Sequence, residues 1–139
     1  MRGLQLAPHV ASEALMQPNR FLRLLLIEDV DDLQAILRFS LETISGWQVI
    51  TVEPTQDWLT TAQEALPDLI LLDAHPHDSD ILAQLKTSFL TQTIPIVCLV
   101  SRDRLADQLQ AQQAGAAAII SKPFDPMFLI QTILAIFEP

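Results

Sequence analysis

The feature that most limits how this chain can fold is a fivefold alternation between short aliphatic runs and longer segments of helical spacing. The runs lie at 23–27, 49–52, 69–72, 96–100 and 117–120, bounded by acids, glycine or proline. Runs of four or five largely apolar residues, without polar alternation, read as strands buried on both faces, as in a parallel sheet covered by helices. Between them, Leu33, Ile36, Leu37, Leu41 and Ile44 fall on one helical face, ended by Gly46. Leu59, Ala62 and Leu66 form a second stripe stopped by Pro67, and Ile81, Leu82, Leu85 and Phe89 form a third. A glutamine-rich fourth helix over about 105–114 ends at Gly115. The fifth opens with Asp125 as N-cap and Pro126 at the first helical position. Five strand–helix units joined by right-handed crossovers predict a single doubly wound α/β domain, (βα)5, with a five-stranded parallel sheet.

In such sheets chemistry gathers at the carboxyl ends of the strands, near the point where strand order reverses. Three strand ends carry notable groups: Glu28-Asp29 after the first run, Asp73 after the third, and Ser121-Lys122-Pro123 after the fifth. On adjacent parallel strands, three carboxylates and one ammonium converge on one pocket. Formal charges of −3 and +1 at close range are unfavourable unless a divalent cation joins them. Hard carboxylate oxygens with few other ligands suit Mg2+, which keeps several waters and takes phosphate as a co-ligand. A carboxylate beside Mg2+ and lysine is able to attack phosphorus, because both cations neutralise charge on the transferring group. Taken singly these residues are ordinary. Asp29, Asp31 and Asp32 serve equally as caps at the positive end of the first helix, and Lys122 as a surface lysine. Their joint occurrence at three strand ends is what points to chemistry.

Composition narrows the classes. With 139 residues, half of them hydrophobic and 18% charged, the chain has enough apolar surface for one core and is no disordered polyelectrolyte. A net charge of −9 disfavours direct binding to nucleic acid or to an anionic membrane. Cys98 is the single cysteine, so there is no internal disulfide, and a reducing, cytoplasmic setting fits. No stretch reaches the roughly 18 uncharged apolar residues of a membrane span. Residues 1–20 hold two prolines and no compact apolar segment. They read as a flexible arm before a domain at 21–139, and not as a signal peptide.

Four stretches together resemble the receiver domain of response regulators, the flavodoxin-like phosphoacceptor module of two-component systems, over about 21–137. They are Leu24-Leu25-Leu26-Ile27-Glu28-Asp29, Pro67-Asp68-Leu69-Ile70-Leu71-Leu72-Asp73, Ile94-Pro95-Ile96-Val97, and Gly115 through Lys122-Pro123-Phe124-Asp125. The resemblance implies strand order 2-1-3-4-5 and Asp73 as phosphoacceptor. It implies Glu28 with Asp29 as the Mg2+-binding acidic pair, joined by Asp73 and the backbone carbonyl of His75. Lys122 would contact the phosphoryl group and precede a cis peptide to Pro123. The implied partners are a histidine kinase or phosphotransfer protein as donor and a downstream protein as reader. Any catalysis is then limited to the chain's own aspartyl phosphorylation and dephosphorylation.

The chain departs from that pattern in places. Val100 stands where the family carries a Ser or Thr hydroxyl that donates to the phosphoryl group, and valine has no donor. Ser101 follows, but neighbouring strand residues point to opposite faces, so it substitutes only if the strand has already ended. Ile119 stands at the switch position, where the family has an aromatic residue that swings inward. Residues 74–80, Ala-His-Pro-His-Asp-Ser-Asp, replace the family's methionine-proline and Asp-Gly segment. Val100 and Ile119 favour a second reading, a phosphorylation-independent pseudo-receiver acting as an interaction module; Glu28, Asp29, Asp73 and Lys122 oppose it. A third, an enzyme or flavin carrier of similar fold, lacks the Gly- or Ser/Thr-rich phosphate loop after the first strand.

Two further features stand outside this frame. His75 and His77, beside Asp73 and Asp78, allow a Zn2+ or Ni2+ reading, although loop histidines lacking third and fourth ligands are ordinarily solvated. Titration of His75 beside the phosphoryl site would tune the lifetime of an acyl phosphate. The segment 127–137 carries no charge and is apolar nearly all round, whereas a helix on one sheet face normally keeps a polar outer stripe. A second covered face is therefore expected, with a homodimer through Met127, Ile130, Ile133, Leu134 and Phe137. Trp47 and Trp58 read as packing residues.

Overall fold

The computed structural model of the chain describes residues 21–28, 31–73 and 79–138. Strands β1 (Arg23–Ile27), β2 (Gln48–Val52), β3 (Leu69–Asp73), β4 (Ile96–Ser101) and β5 (Ala118–Lys122) form one sheet in the order β2-β1-β3-β4-β5. Every pairing is parallel. The helices are α1 (Asp31–Ser40), α2 (Trp58–Ala65), α3 (Ser79–Thr87), α4 (Leu105–Gln113) and α5 (Pro126–Phe137). The doubly wound α/β fold and its strand order are those expected.

Alternation along the strands builds two cores. Leu24, Leu26, Leu69, Leu71, Val97, Leu99 and Ile120 face one way and pack with Leu37 and Leu41 from the first helical segment and Leu129, Ile130 and Ile133 of α5. Leu25, Ile27, Ile70, Leu72, Ile96, Cys98 and Val100 face the other way, against Ala62 of α2, Ile81, Leu82 and Leu85 of α3, and Ala111 of α4. One face thus takes α1 and α5 and the other takes α2, α3 and α4. Strand order reverses at β1, beside β3, and opens the sheet's carboxyl edge there.

Local signals account for most element ends. Helix α1 runs on into a π-helical turn, Leu41–Ser45, closed by Gly46 at a left-handed φ of 73° with its N–H on the Glu42 carbonyl. Asp125 caps α5, its carboxylate accepting from the Met127 N–H at 2.8 Å, with Pro126 in the first turn. Leu66 ends α2 in a left-handed conformation, φ 45°, just before Pro67. Trp47 is buried in the first core and Trp58 packs on the edge of the second, as packing residues.

Several expected core faces are narrower than the sequence stripes. Leu37 and Leu41 are buried, but Ile36 is 59% exposed and Ile44 also lies open. The π-helical turn advances each residue by less than an α-helical step, so Ile44 rotates off the stripe. Phe89, 84% exposed, falls beyond the end of α3 at Thr87 and takes no part in its stripe. The fifth helix is corrected in the opposite sense. Ile130 and Ile133, expected in a homodimer face, are buried in the chain's own core, because α5 packs deeply against the sheet. Leu134 and Phe137 are half-buried against the same core, and Met127 and Phe128 are exposed.

Cys98 sits in mid-β4 with no exposed surface, and burial pushes its thiol up to about 12. Only the thiolate attacks an alkylating agent. In the folded chain Cys98 is therefore expected to resist iodoacetamide at mildly alkaline pH and to label at the rate of unfolding in urea. Native labelling as fast as that of a free thiol, read by intact mass, would contradict this packing.

No helix among the described residues is long and apolar enough to cross a membrane. The expected arm, 1–20, lies outside the described residues.

Candidate site at the carboxyl edge of the sheet

The site is built at the ends of β1, β3, β4 and β5. Ile27 stands opposite Leu72 across β1 and β3, so Glu28 and Asp73 follow as the next neighbours, about one strand spacing (~4.8 Å) apart at the backbone. Both are fully buried. The Glu28 N–H donates to the Val52 carbonyl of β2 at 3.1 Å. Its own carbonyl accepts from the Gln34 side-chain amide of α1 at 3.0 Å. Glu28 is thus held between β2 and α1 where the chain leaves the sheet.

On the other side of β3, Leu99 of β4 stands opposite Asp73, and Lys122 of β5 stands opposite Ser101. Lys122 must therefore cross β4, roughly 10 Å of two strand spacings, to meet β3. It does so: its Nζ donates to Asp73 Oδ1 at 2.7 Å. The Lys122 side chain keeps 24% exposure while the Asp73 carboxylate has none. The Lys122–Pro123 peptide is cis, as the resemblance implied.

Two buried carboxylates and one ammonium carry a formal charge of −1, which a low-dielectric interior disfavours without further compensation. The donors here are hard oxygens, which fit Mg2+ better than a soft metal. Among the described residues no three His, Cys, Asp or Glu side chains gather into a metal site. Asp29 and His75, both implied as Mg2+ ligands, lie outside the described residues, as do His77 and Asp78 of the Zn2+ or Ni2+ reading.

The end of β4 shows what the departures mean. Val100 is wholly buried in the α2–α4 core, with Ile119 packed against that core from β5. The ladder continues through Ser101, which pairs with Lys122, so the strand has not ended there. The Ser101 hydroxyl donates to the Asp103 carboxylate at 2.6 Å, and this bond is the main reason that carboxyl sits below its usual range. The condition under which Ser101 would substitute for the missing hydroxyl, a strand ended before it, is therefore not met. The Arg102 N–H donates to the Lys122 carbonyl at 3.2 Å. Arg104 is paired with Asp107. Gln108 of α4 donates to the Ser101 carbonyl at 3.3 Å and the Ser121 hydroxyl at 3.4 Å, tying α4 to both strand ends. Neither Gln34 nor Gln108 stood out in the sequence, since a glutamine on a helix face carries no spacing signal.

A family model described as the response regulator receiver domain matches residues 24–134. The chain belongs to the response regulator receiver domain family. It is 34% identical over 119 residues to the phosphate regulon transcriptional regulatory protein PhoB of Escherichia coli, covering 84% of this chain and 52% of that protein. It is 35% identical over 103 residues to the transcriptional regulatory protein KdpE of Mycobacterium tuberculosis, covering 72% of this chain and 44% of that protein. The receiver chain therefore spans about half the length of the curated relatives it matches. Two solved structures share the fold. A putative response regulator from Chloroflexus aurantiacus superposes with a TM-score of 0.77 at 24% identity, covering 84% of this chain and 98% of that one. The receiver domain of a sensor histidine kinase from Pseudomonas aeruginosa, with a magnesium ion coordinated in its own active site cleft, gives 0.73 at 22% identity, covering 84% and 97%.

Proposed function

We propose that this receiver domain takes a phosphoryl group onto Asp73, with Mg2+, from a histidine kinase or phosphotransfer protein and signals by contact with a downstream protein. The observation that carries the reading is the buried Asp73 carboxylate held 2.7 Å from the Lys122 ammonium at the sheet's carboxyl edge. An Asp73 carboxylate oxygen attacks phosphorus as nucleophile. A new O–P bond forms, the donor's P–N bond breaks, and its electron pair returns to the imidazole of the phosphohistidine. Lys122 neutralises charge on the group in transit, and burial excludes competing water. Glu28 and Asp73, with Asp29 and the His75 carbonyl, would hold the metal. When bound, Mg2+ adds positive charge at the phosphoryl oxygens. The receiver domain of the Pseudomonas kinase, which holds magnesium in its own active site cleft, supports the choice of metal. Water later hydrolyses the acyl phosphate and restores the carboxylate.

A cytoplasmic setting is part of this reading, supported by the buried free thiol of Cys98. Pairing of two copies through α5 rests on Met127, which is exposed, with Leu134 and Phe137 at its margin.

Incubation with phosphoramidate and Mg2+, followed by intact mass, is expected to show one phosphoryl group on the wild type and none on Asp73→Asn. Equal gain in the variant would sink the assignment of Asp73. No gain in either would favour the phosphorylation-independent module, the reading supported by the apolar, core-packed Val100 and Ile119.

A further inference from the structure

A transferring phosphoryl group spreads negative charge over three equatorial oxygens, and donors already aimed at it lower the barrier. The described strand ends offer few such donors. Lys122 is engaged with Asp73. Val100 has no donor and is packed into the core. The Ser101 hydroxyl is given to Asp103, and Arg104 is paired with Asp107. Arg102 is the cation left in this turn: it is exposed, and no hydrogen bond or ion pair to another described residue holds its guanidinium.

Its backbone is nonetheless placed. The Arg102 N–H on the Lys122 carbonyl sets it beside the residue whose ammonium reaches Asp73. Leu99 stands opposite Asp73, and Arg102 lies three residues further along, roughly 10 Å at the rise of a strand. From there the length of an arginine side chain is enough to fold back over the strand end toward the Asp73 carboxylate. Asp103, the neighbouring acid, accepts from Ser101 and forms no ion pair with Arg102.

We propose that Arg102 is a phosphoryl-contacting residue of this receiver domain, its planar guanidinium taking phosphoryl oxygens where Val100 provides no hydroxyl. The inference rests on Asp73 as acceptor. A guanidinium is well matched to such a task, because its fork of donors fits two phosphoryl oxygens at once and its charge persists at every working pH. The product is a state in which a long surface side chain, in place of a short buried one, reports the phosphate.

The test compares wild type with Arg102→Ala and Arg102→Lys. Two quantities are read: the rate of mass gain from phosphoramidate with Mg2+, and the affinity for beryllofluoride, a phosphoryl mimic, by calorimetry. Arg102→Ala is expected to lose about tenfold in both, less than the 10²–10³ of a donor in a water-excluded site because this one borders solvent. Arg102→Lys, keeping charge without the fork, is expected to fall between. Val100→Thr in the Arg102→Ala background is expected to recover most of the loss by returning a hydroxyl. Wild-type rate and affinity in Arg102→Ala would overturn the assignment while leaving Asp73 in place. A wild type that accepts no phosphoryl group would sink the Asp73 reading first and this one with it.

Discussion

Lys122→Ala is expected to lower stability by about 3 kcal/mol, far more than removal of a surface lysine. Glu28 and Asp73 are both fully buried, and the ammonium of Lys122 pairs with Asp73 at 2.7 Å. Deleting it removes one partner of a buried ion pair, a change that costs roughly 3–5 kcal/mol. The partial exposure of Lys122 lets water replace some of the lost stabilisation, which argues for the lower end. Asp73→Asn acts with the opposite sign. It removes a negative charge from the same spot, and the lysine left behind has a route to solvent, so stability equal to or above wild type is expected. Urea unfolding at a common slope measures both. Mg2+ that binds only the folded chain shifts the midpoint upward with concentration, and the shift is expected to shrink in Asp73→Asn. Wild-type midpoints for both variants would show that these three groups do not interact.

The second large effect belongs to the core. Leu71→Ala is expected to cost about 2–5 kcal/mol. Leu71 lies at the centre of β3, without exposed surface, in the layer shared with Leu24, Leu26, Leu99 and Leu129. The strands on either side are themselves fixed by the ladder, so the cavity has little freedom to collapse. Small domains are stable by only about 5–15 kcal/mol, so this one change removes a sizeable share. Ile36→Ala is the informative control. In sequence the two residues look equally like core, but Ile36 is mostly exposed and its loss is expected to stay within about 0.5 kcal/mol. Equal costs at both positions would mean that the α1 face is packed differently.

Ile36 and Leu71 also mark where sequence reasoning holds and where it stops. Continuous aliphatic runs located all five strands to within a residue or two, because a strand covered on both faces has no polar side to show. The end signals at Gly46 and Asp125-Pro126 were equally legible, since capping depends on backbone sterics and hydrogen bonds within one turn. So was the arrival of Glu28, Asp73 and Lys122 at strand ends. The burial of stripe-margin residues was not legible. Ile36, Ile44 and Phe89 match the helical period yet face solvent, while Ile130 and Ile133 look like a partner surface and are core.

The sequence by itself determined the parallel α/β pattern, most element ends and the acids and lysine brought to one edge, because these follow from short-range periodicity and chain direction. Only the tertiary structure decided that Lys122 spans β4 to reach Asp73, that the Ser101 hydroxyl belongs to Asp103, and that Val100 and Ile119 pack into the same core. Those outcomes depend on which neighbour stands one or two strand spacings away, a distance that no local pattern encodes.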